Sequence, residues 1–261
     1  PLNISVKLKH TPATLYQDGM PYETNISVFT LSVDGKTMSD SLPYEDSFSV
    51  EIVDVNKNDK SKEILIFSGG SPDYIFWVFG YSNGLIQLLK SDYYQEFIPD
   101  GLGSVTAVKW AGFCVLKDKF ILSKDGRKLE QEKIDFYPIK NTFDENGVEK
   151  DYVVTAVKSF KIYKDRTSNC KVTSKKVNDD IKYTVTGYDE MSVVTEIKKG
   201  EKVVITGYDS KYTTIKNSEG DETWWVWIQI KSAGGKTGWI YMNAYDDRYW
   251  NEFVEGVIFA G

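Results

Sequence analysis

The chain has 261 residues, of which 41% are hydrophobic and 14% aromatic, and its formal net charge at pH 7 is −6. This hydrophobic content is sufficient for a packed core, so we do not expect a largely disordered chain. The negative charge argues against general binding to nucleic-acid phosphates, and no apolar run approaches the ~18 residues of a membrane-spanning helix, so we expect no membrane insertion.

Short strand-like runs follow one another through the first half of the chain. They are rich in β-branched and aromatic residues and are bounded by polar turns, which predicts strands. The clearest runs are NISVFTLSV, FSVEIVDV, EILIFS, DYIFWVFGY, VTAVKWAGFCVL, KFILS and KIDFYPI. Because no apolar stripe at helical spacing extends beyond about two turns, the sequence predicts an all-β fold.

Turn dipeptides recur between these runs, at Asp34-Gly35, Asn83-Gly84 and Asp125-Gly126. Their spacing of about 40 to 50 residues, with several strands per repeat, is typical of β-propeller blades. Chance recurrence of common turn residues is the alternative, and Asn146-Gly147 follows too soon to fit the spacing. A first domain with room for about three blades would be a partial or atypical propeller-like β domain.

A polar segment, IKNTFDENGVEKD, separates this half of the chain from the next. It covers residues 139–151 and is flanked by strand-like runs, so it is typical of a linker or a long hairpin. We therefore place a domain boundary near residue 150, with the first domain at residues 1–150 and the second at residues 151–261.

One loop of the first domain carries oxygen-bearing side chains between two predicted strands, in EIVDVNKNDKSKEILIF. The side chains are those of Asp54, Asn56, Asn58, Asp59 and Glu63. Such alternation can converge on a hard cation such as calcium. The stretch resembles the FG-GAP and VCBS-type repeats of bacterial surface proteins and integrin-like propellers. Asp59 replaces the glycine of that pattern and Glu63 comes one residue late, so a metal-free loop closed by Asx-type hydrogen bonds is the alternative.

The second domain has a different layout, in which the turn KKGEKV opens a strand, a W-x-x-I strand follows, and GKTGWI forms a hairpin. Tyr163 lies on an earlier strand. This succession resembles the bacterial SH3 (SH3b) family of small β-barrels, over roughly residues 157–245. The segment VNDDIKYTVTGYDEMS interrupts the resemblance, and we predict that it forms an extra hairpin.

The aromatic strand WVWIQIK has two predicted faces. Val226, Ile228 and Ile230 alternate onto one face, which would fill the barrel, and Trp225, Trp227 and Gln229 take the other. We expect Trp225 and Trp239 to be packed, because they occupy regular positions of the family. Trp227 faces away from the inner set and is the better candidate for an exposed ring.

The SH3b resemblance implies a secreted or cell-surface bacterial protein that binds a cell-wall peptide or glycan, or another surface ligand. Aromatic rings suit such ligands. The candidate ligand-binding residues are Tyr163, Tyr212, Trp224, Trp225, Trp227 and Tyr241. A structural spacer within a surface assembly and an accessory or inhibitor protein of a partner enzyme are the alternatives. Since the chain begins with Pro1, we expect an export signal to have been removed.

Catalysis is not expected. His10, in the polar segment KLKHT, is the single histidine, and no P-loop, G-x-S-x-G or H-E-x-x-H motif is present. Paired carboxylates of a glycosidase remain open because Asp and Glu are plentiful. Cys114 and Cys170 form no metal set, and the sequence is compatible both with a disulfide between them and with two free thiols.

Overall fold

The computed structural model describes residues 3–17, 20–42, 47–59, 61–70, 73–82, 85–111, 113–140, 150–178 and 180–257. Regular structure in these residues is nearly all β, which confirms the predicted all-β class. The described part contains one helix, of five residues. No helix within the described ranges is long and apolar enough to cross a membrane.

The chain divides into two compact units. Unit 1 comprises Pro1–Lys109 and Lys117–Glu132, and unit 2 comprises Trp110–Leu116 and Lys133–Gly261. The division falls earlier in the chain than the boundary that we placed near residue 150. The polar segment that suggested this boundary includes residues 141–149, which lie outside the described residues.

Unit 1 contains three consecutive antiparallel sheets. Its strands are β1 (Ile4–Gln17), β2 (Met20–Val33), β3 (Lys36–Leu42), β4 (Ser47–Val53), β5 (Glu63–Gly70), β6 (Asp73–Ser82), β7 (Leu85–Tyr93), β8 (Glu96–Pro99), β9 (Ser104–Ala111), β10 (Cys114–Leu122) and β11 (Leu129–Gln131). The end of β9 and the start of β10, within Trp110–Leu116, belong to unit 2. The sheet orders are β1-β2-β3, β4-β5-β6-β7 and β11-β10-β9-β8, so each sheet is a meander. The second and third sheets have four strands, as propeller blades do, but the first has three, and the propeller assignment stays a prediction.

The middle sheet of unit 1 is buried on both faces. Ile64, Ile66 and Trp77 belong to one apolar cluster with Phe29 of β2. The intervening residues of β5 and β6 belong to a second cluster that includes residues of the third sheet. Its members on β5 and β6 are Leu65, Phe76 and Val78. Burial on both faces explains why EILIF and IFWVF are continuous apolar runs rather than alternating ones.

The predicted tight turns agree with the structure where it describes them. Asp34 and Gly35 have φ values of 47° and 80°, and they join β2 to β3 in a hairpin. Positive φ at both positions is what a two-residue type I′ turn demands. Gly126 has a φ of 70° in the connection from β10 to β11. Asn83-Gly84 and Asn146-Gly147 lie outside the described residues.

Unit 2 is built on a curled sheet. Its strands are β12 (Phe136–Pro138), β13 (Tyr152–Ala156), β14 (Phe160–Tyr163), β15 (Lys171–Val177), β16 (Asp180–Thr186), β17 (Val193–Ile197), β18 (Lys202–Lys216), β19 (Glu222–Lys231), β20 (Thr237–Asn243) and β21 (Val254–Glu255), and its helix is α1 (Asp247–Asn251). The sheet order is β17-β14-β20-β19-β18-β13-β21, and β12 also pairs with β18. Strands β15 and β16 form a separate two-stranded hairpin.

Helix α1 and strand β21 complete the packing of unit 2. Asp246 caps α1 by accepting a hydrogen bond from the Tyr249 backbone N–H at 3.2 Å. The cap holds Tyr249 and Trp250 in the core, where the Trp250 indole donates to the Asn243 carbonyl at 2.6 Å. Strand β21 then pairs with β13.

Candidate functional site

The central part of the aromatic strand β19, residues 225–228, is buried on both of its faces. Val226, Ile228 and Ile230 are buried, as the alternating pattern predicts. Trp225 on the opposite face is 0% exposed, which agrees with the expectation that it is packed. Trp227 is only 5% exposed, so the prediction of an exposed Trp227 ring is wrong.

The cover over Trp225 and Trp227 comes from the inserted hairpin. The hairpin is present, although it begins at Lys171, before the segment that we assigned to it. The Tyr183 ring of β16 meets Trp225 edge to face at 5.4 Å. Tyr188, which follows β16, meets Trp227 at 6.3 Å. The sequence pattern identified the outer face of β19 but not the element that covers it.

Tyr188 connects the inserted hairpin to β20 of the sheet through hydrogen bonds to the Tyr241 backbone. Its hydroxyl donates to the Tyr241 carbonyl and accepts from the Tyr241 N–H, both at 3.3 Å. Its ring stacks on Tyr163 with centroids 4.6 Å apart and planes 2° apart. Burial raises the pKa of the Tyr188 hydroxyl, so the group remains a donor at physiological pH. Tyr163 and Tyr241 are themselves buried. Tyr163 and Trp225, which were candidate ligand-binding residues, therefore pack in the core instead.

Three exposed rings form what we call the aromatic patch: Tyr212, Trp224 and Tyr245. They are 62%, 38% and 51% exposed, respectively. Trp224 and Tyr245 meet edge to face at 5.5 Å. Tyr212 lies opposite Val226 in the strand register, two residues from Trp224, so Tyr212 and Trp224 lie on one face of the sheet. Tyr245 was missed in the sequence analysis; the signal was its place at the end of the same aromatic stretch.

A cavity of about 390 Å³ lies on the other face of the same strands. Its lining residues are Asp135, Arg166, Thr167, Ser168, Cys170, Asp209, Lys211, Thr213, Trp227 and Tyr241. Two predicted binding residues, Trp227 and Tyr241, thus come together in this wall. The Trp227 indole donates to the Thr167 carbonyl at 3.2 Å, which fixes the ring against the loop that borders the cavity.

An ion pair between a buried carboxylate and a partly exposed arginine forms part of the cavity wall. The Asp209 carboxylate is buried and lies 3.0 Å from Arg166. Arg166 also donates to the Asp135 carbonyl at 3.2 Å and lies 4.7 Å from the Trp239 ring centroid. The carboxylate, the carbonyl and the aromatic face hold the guanidinium in place, and its charge compensates the buried Asp209 carboxylate. Neither Arg166 nor Asp209 was proposed from the sequence, because their pairing joins distant segments.

The predicted calcium loop is closed by its own hydrogen bonds. Asn56 accepts from the Asn58 N–H at 3.2 Å, and Asp59 accepts from the Ser61 N–H at 2.7 Å. These are the Asx-type bonds of the metal-free alternative. The buried Glu63 carboxylate accepts from the Val55 N–H at 2.9 Å.

Asp54 is the remaining predicted ligand of this loop. It pairs with Lys62 through Oδ2, and its Oδ1 is buried without a hydrogen-bond partner in the described part of the chain. Within that part, no group of three or more His, Cys, Asp or Glu side chains is placed to hold a metal ion. Calcium binding therefore stays a prediction, and the hydrogen bonds favour the metal-free loop.

A neighbouring loop of unit 1 carries a carboxylate with a strongly lowered pKa. The Ser104 hydroxyl, then the backbone N–H groups of Leu102 and Ser104, lower the pKa of Asp100 from 3.8 to about 2. A lowered pKa stabilises the fold above the unfolded value, and this stabilisation is lost as the pH falls from 3.8 towards 2.

We expect Ser104→Ala to raise the pKa of Asp100 towards 3.8, because the hydroxyl is the largest cause of the shift. An NMR titration of the side-chain carboxyl carbons measures it. Asp125, whose pKa is lowered mainly by Ser123, is the internal control and is expected not to move. An unchanged Asp100 pKa in the variant would contradict the assigned hydrogen bond.

Neither the two cysteines nor His10 contributes to the aromatic patch. Cys114 and Cys170 are free thiols, which settles the alternatives left by the sequence. Burial raises the pKa of the Cys114 thiol, so it is a packing residue rather than a nucleophile. His10 is exposed, as expected, and its Nδ1 lies 2.7 Å from the Ser27 hydroxyl.

Comparison with known proteins finds no match for this chain among protein-family models, curated proteins or solved structures. The functional argument therefore rests on the chain's own residues. Two features of unit 2 could contact a ligand: the aromatic patch on one face of β18 and β19, and the polar cavity on the other.

Proposed function

We propose that the protein is a non-catalytic binding protein of the bacterial cell surface, either secreted or displayed there. Unit 2 would be its recognition module, and a cell-wall component, a peptidoglycan glycan or peptide, would be its ligand. The observation that carries this proposal is the aromatic patch, since its three rings are exposed whereas the other described aromatic side chains of unit 2 are buried or half-buried. Exposed rings offer flat apolar faces suited to sugars.

The chain topology supports the recognition module. The meander β18-β19-β20 is flanked by β14 on one side and by β13 and β21 on the other, as a small curled barrel requires. This arrangement supports the SH3b resemblance of residues 157–245. Members of the SH3b family occur on cell surfaces. The proposal of a non-catalytic protein rests on the sequence, which has one histidine and none of the hydrolase motifs sought.

A pull-down with insoluble peptidoglycan tests this function. We expect the wild type to be retained and a Tyr212→Ala, Trp224→Ala double variant to bind about tenfold more weakly, because each stacked ring contributes about 0.5–1.5 kcal/mol. Val193→Ala is the matched control, since Val193 is exposed on β17, at the far end of the sheet order. Failure to retain the wild type, or equal retention of the double variant, would refute the proposal.

A structural spacer within a surface assembly is the second candidate. The observation that favours it is the burial of Trp225 and Trp227, which leaves only part of the aromatic stretch available to a ligand. In this case the patch would contact another protein, and insoluble peptidoglycan would retain neither the wild type nor the variants. An accessory or inhibitor protein of a partner enzyme predicts the same negative result.

A further inference from the structure

The cavity opposite the aromatic patch is formed by an irregularity of β18. Tyr208 lies opposite Ile228 and Tyr212 opposite Val226, so β18 carries two more residues than β19 between these pairs. The extra backbone holds Asp209 and Lys211, and both line the cavity. Bulges of this kind re-aim side chains and are frequent beside binding sites.

Segments from elsewhere in unit 2 hold this bulge in place. Phe136 of β12 lies opposite Asp209, and the Lys211 backbone N–H donates to the Asp209 carboxylate at 3.0 Å. Arg166 pairs with the same carboxylate at 3.0 Å. The wall is therefore preorganised, and a ligand would not have to order it.

The charges in the cavity define what it can accept. Arg166 is neutralised by Asp209. Among the residues that the structure describes, no carboxylate lies within ion-pair distance of the Lys211 ammonium, which leaves one positive charge available. Asp135 supplies one exposed carboxylate at the rim, 3.9 Å from the Lys133 ammonium, and because both side chains are mostly in solvent this pair is weak. A zwitterion is matched at both ends, with its carboxylate towards Lys211 and its ammonium group towards Asp135.

The rings in this cavity do not suit sugars. Trp227 and Tyr241 are almost fully buried, so they offer little free surface for a sugar to stack on. The rest of the lining is polar, with hydroxyl groups from Thr167, Ser168 and Thr213. Hydrogen bonding rather than stacking must therefore select the ligand, and the volume of about 390 Å³ is that of a small molecule or a short peptide end.

We propose that this cavity binds a small zwitterion, a free amino acid or a dipeptide. Lys211 holds the carboxylate, the hydroxyl groups of the lining hydrogen-bond the backbone of the ligand, and Asp135 faces its ammonium group. This second site lies on the other face of the strands from the aromatic patch and does not depend on the proposed wall binding.

The test is an NMR titration of the full chain with L-alanyl-L-alanine and with its carboxyl-terminal amide, at neutral pH. The dipeptide is expected to shift the Trp227 indole N–H and the Thr213 amide signals, with a dissociation constant in the millimolar range. The amide, which lacks the carboxylate, is expected to leave them unchanged. Equal shifts with both probes, or no shift with the dipeptide, would overturn the proposal.

Two lysine variants complete the test. Lys211→Met is expected to weaken dipeptide binding at least about fivefold, while Lys216→Met, at the exposed end of the same strand, leaves it unchanged. Equal effects of the two variants would also overturn the proposal. If peptidoglycan retains the protein but the dipeptide does not bind, only the cavity site is refuted. If the dipeptide binds but peptidoglycan does not retain the protein, only the proposed cell-wall binding is refuted.

Discussion

Replacing Trp225 with alanine is expected to lower the free energy of unfolding of unit 2 by about 3–5 kcal/mol. The ring is fully buried and meets Tyr183, Tyr241 and Tyr249 with centroid distances of 5.4, 5.7 and 5.0 Å. These partners come from the inserted hairpin, from β20 and from α1. Because three separate elements converge on one ring, they cannot all move to fill the cavity that alanine leaves.

The neighbouring tryptophan provides the control. Trp224 is 38% exposed, and Trp224→Ala is expected to cost less than about 1 kcal/mol of stability. Denaturant unfolding of both variants measures the difference. Equal destabilisation by the two substitutions would contradict the burial of Trp225. Since Trp224 belongs to the aromatic patch, the pair also separates a residue needed for folding from one proposed for recognition.

The sequence predicts that the inner face of β19 is buried, but it does not predict that the outer face is buried as well. A period of two assigns Val226 and Ile228 to one side and Trp227 to the other. It does not reveal that Tyr188 covers Trp227, because this contact depends on how an inserted segment folds back. The turn at Asp34-Gly35 was predictable for the opposite reason, since its conformation is set by the two residues themselves.

The cavity could not be predicted for a related reason. It depends on two additional residues within β18, and such a bulge breaks the alternation from which strand faces are assigned. Asp209 in the run GYDSKY therefore reads as a surface residue, although it is buried against Arg166. In contrast, the Asx hydrogen bonds of Asn56 and Asp59 were foreseen as an alternative, because each joins residues two positions apart.

In unit 1, we expect an equally large loss of stability when Trp77 is replaced with alanine. Trp77→Ala is expected to destabilise this unit by about 3–5 kcal/mol, because the ring is buried between the first two sheets. It meets Phe29 edge to face at 5.2 Å, and its indole donates to Asp40 at 3.0 Å. Trp77→Phe retains most of the apolar contact and removes the hydrogen bond, so it is expected to cost only about 1–2 kcal/mol.

Hydrogen exchange followed by mass spectrometry distinguishes this prediction from a general loss of stability. If Trp77 joins the sheet β1-β2-β3 to the sheet β4-β5-β6-β7, exchange in Trp77→Ala should rise in β2, β5 and β6. Strands β19 and β20 have a separate apolar core, so their exchange should stay at the wild-type rate. A uniform rise through both units would contradict the separation of the cores, and no rise in β2 would contradict the packing of Trp77 on Phe29.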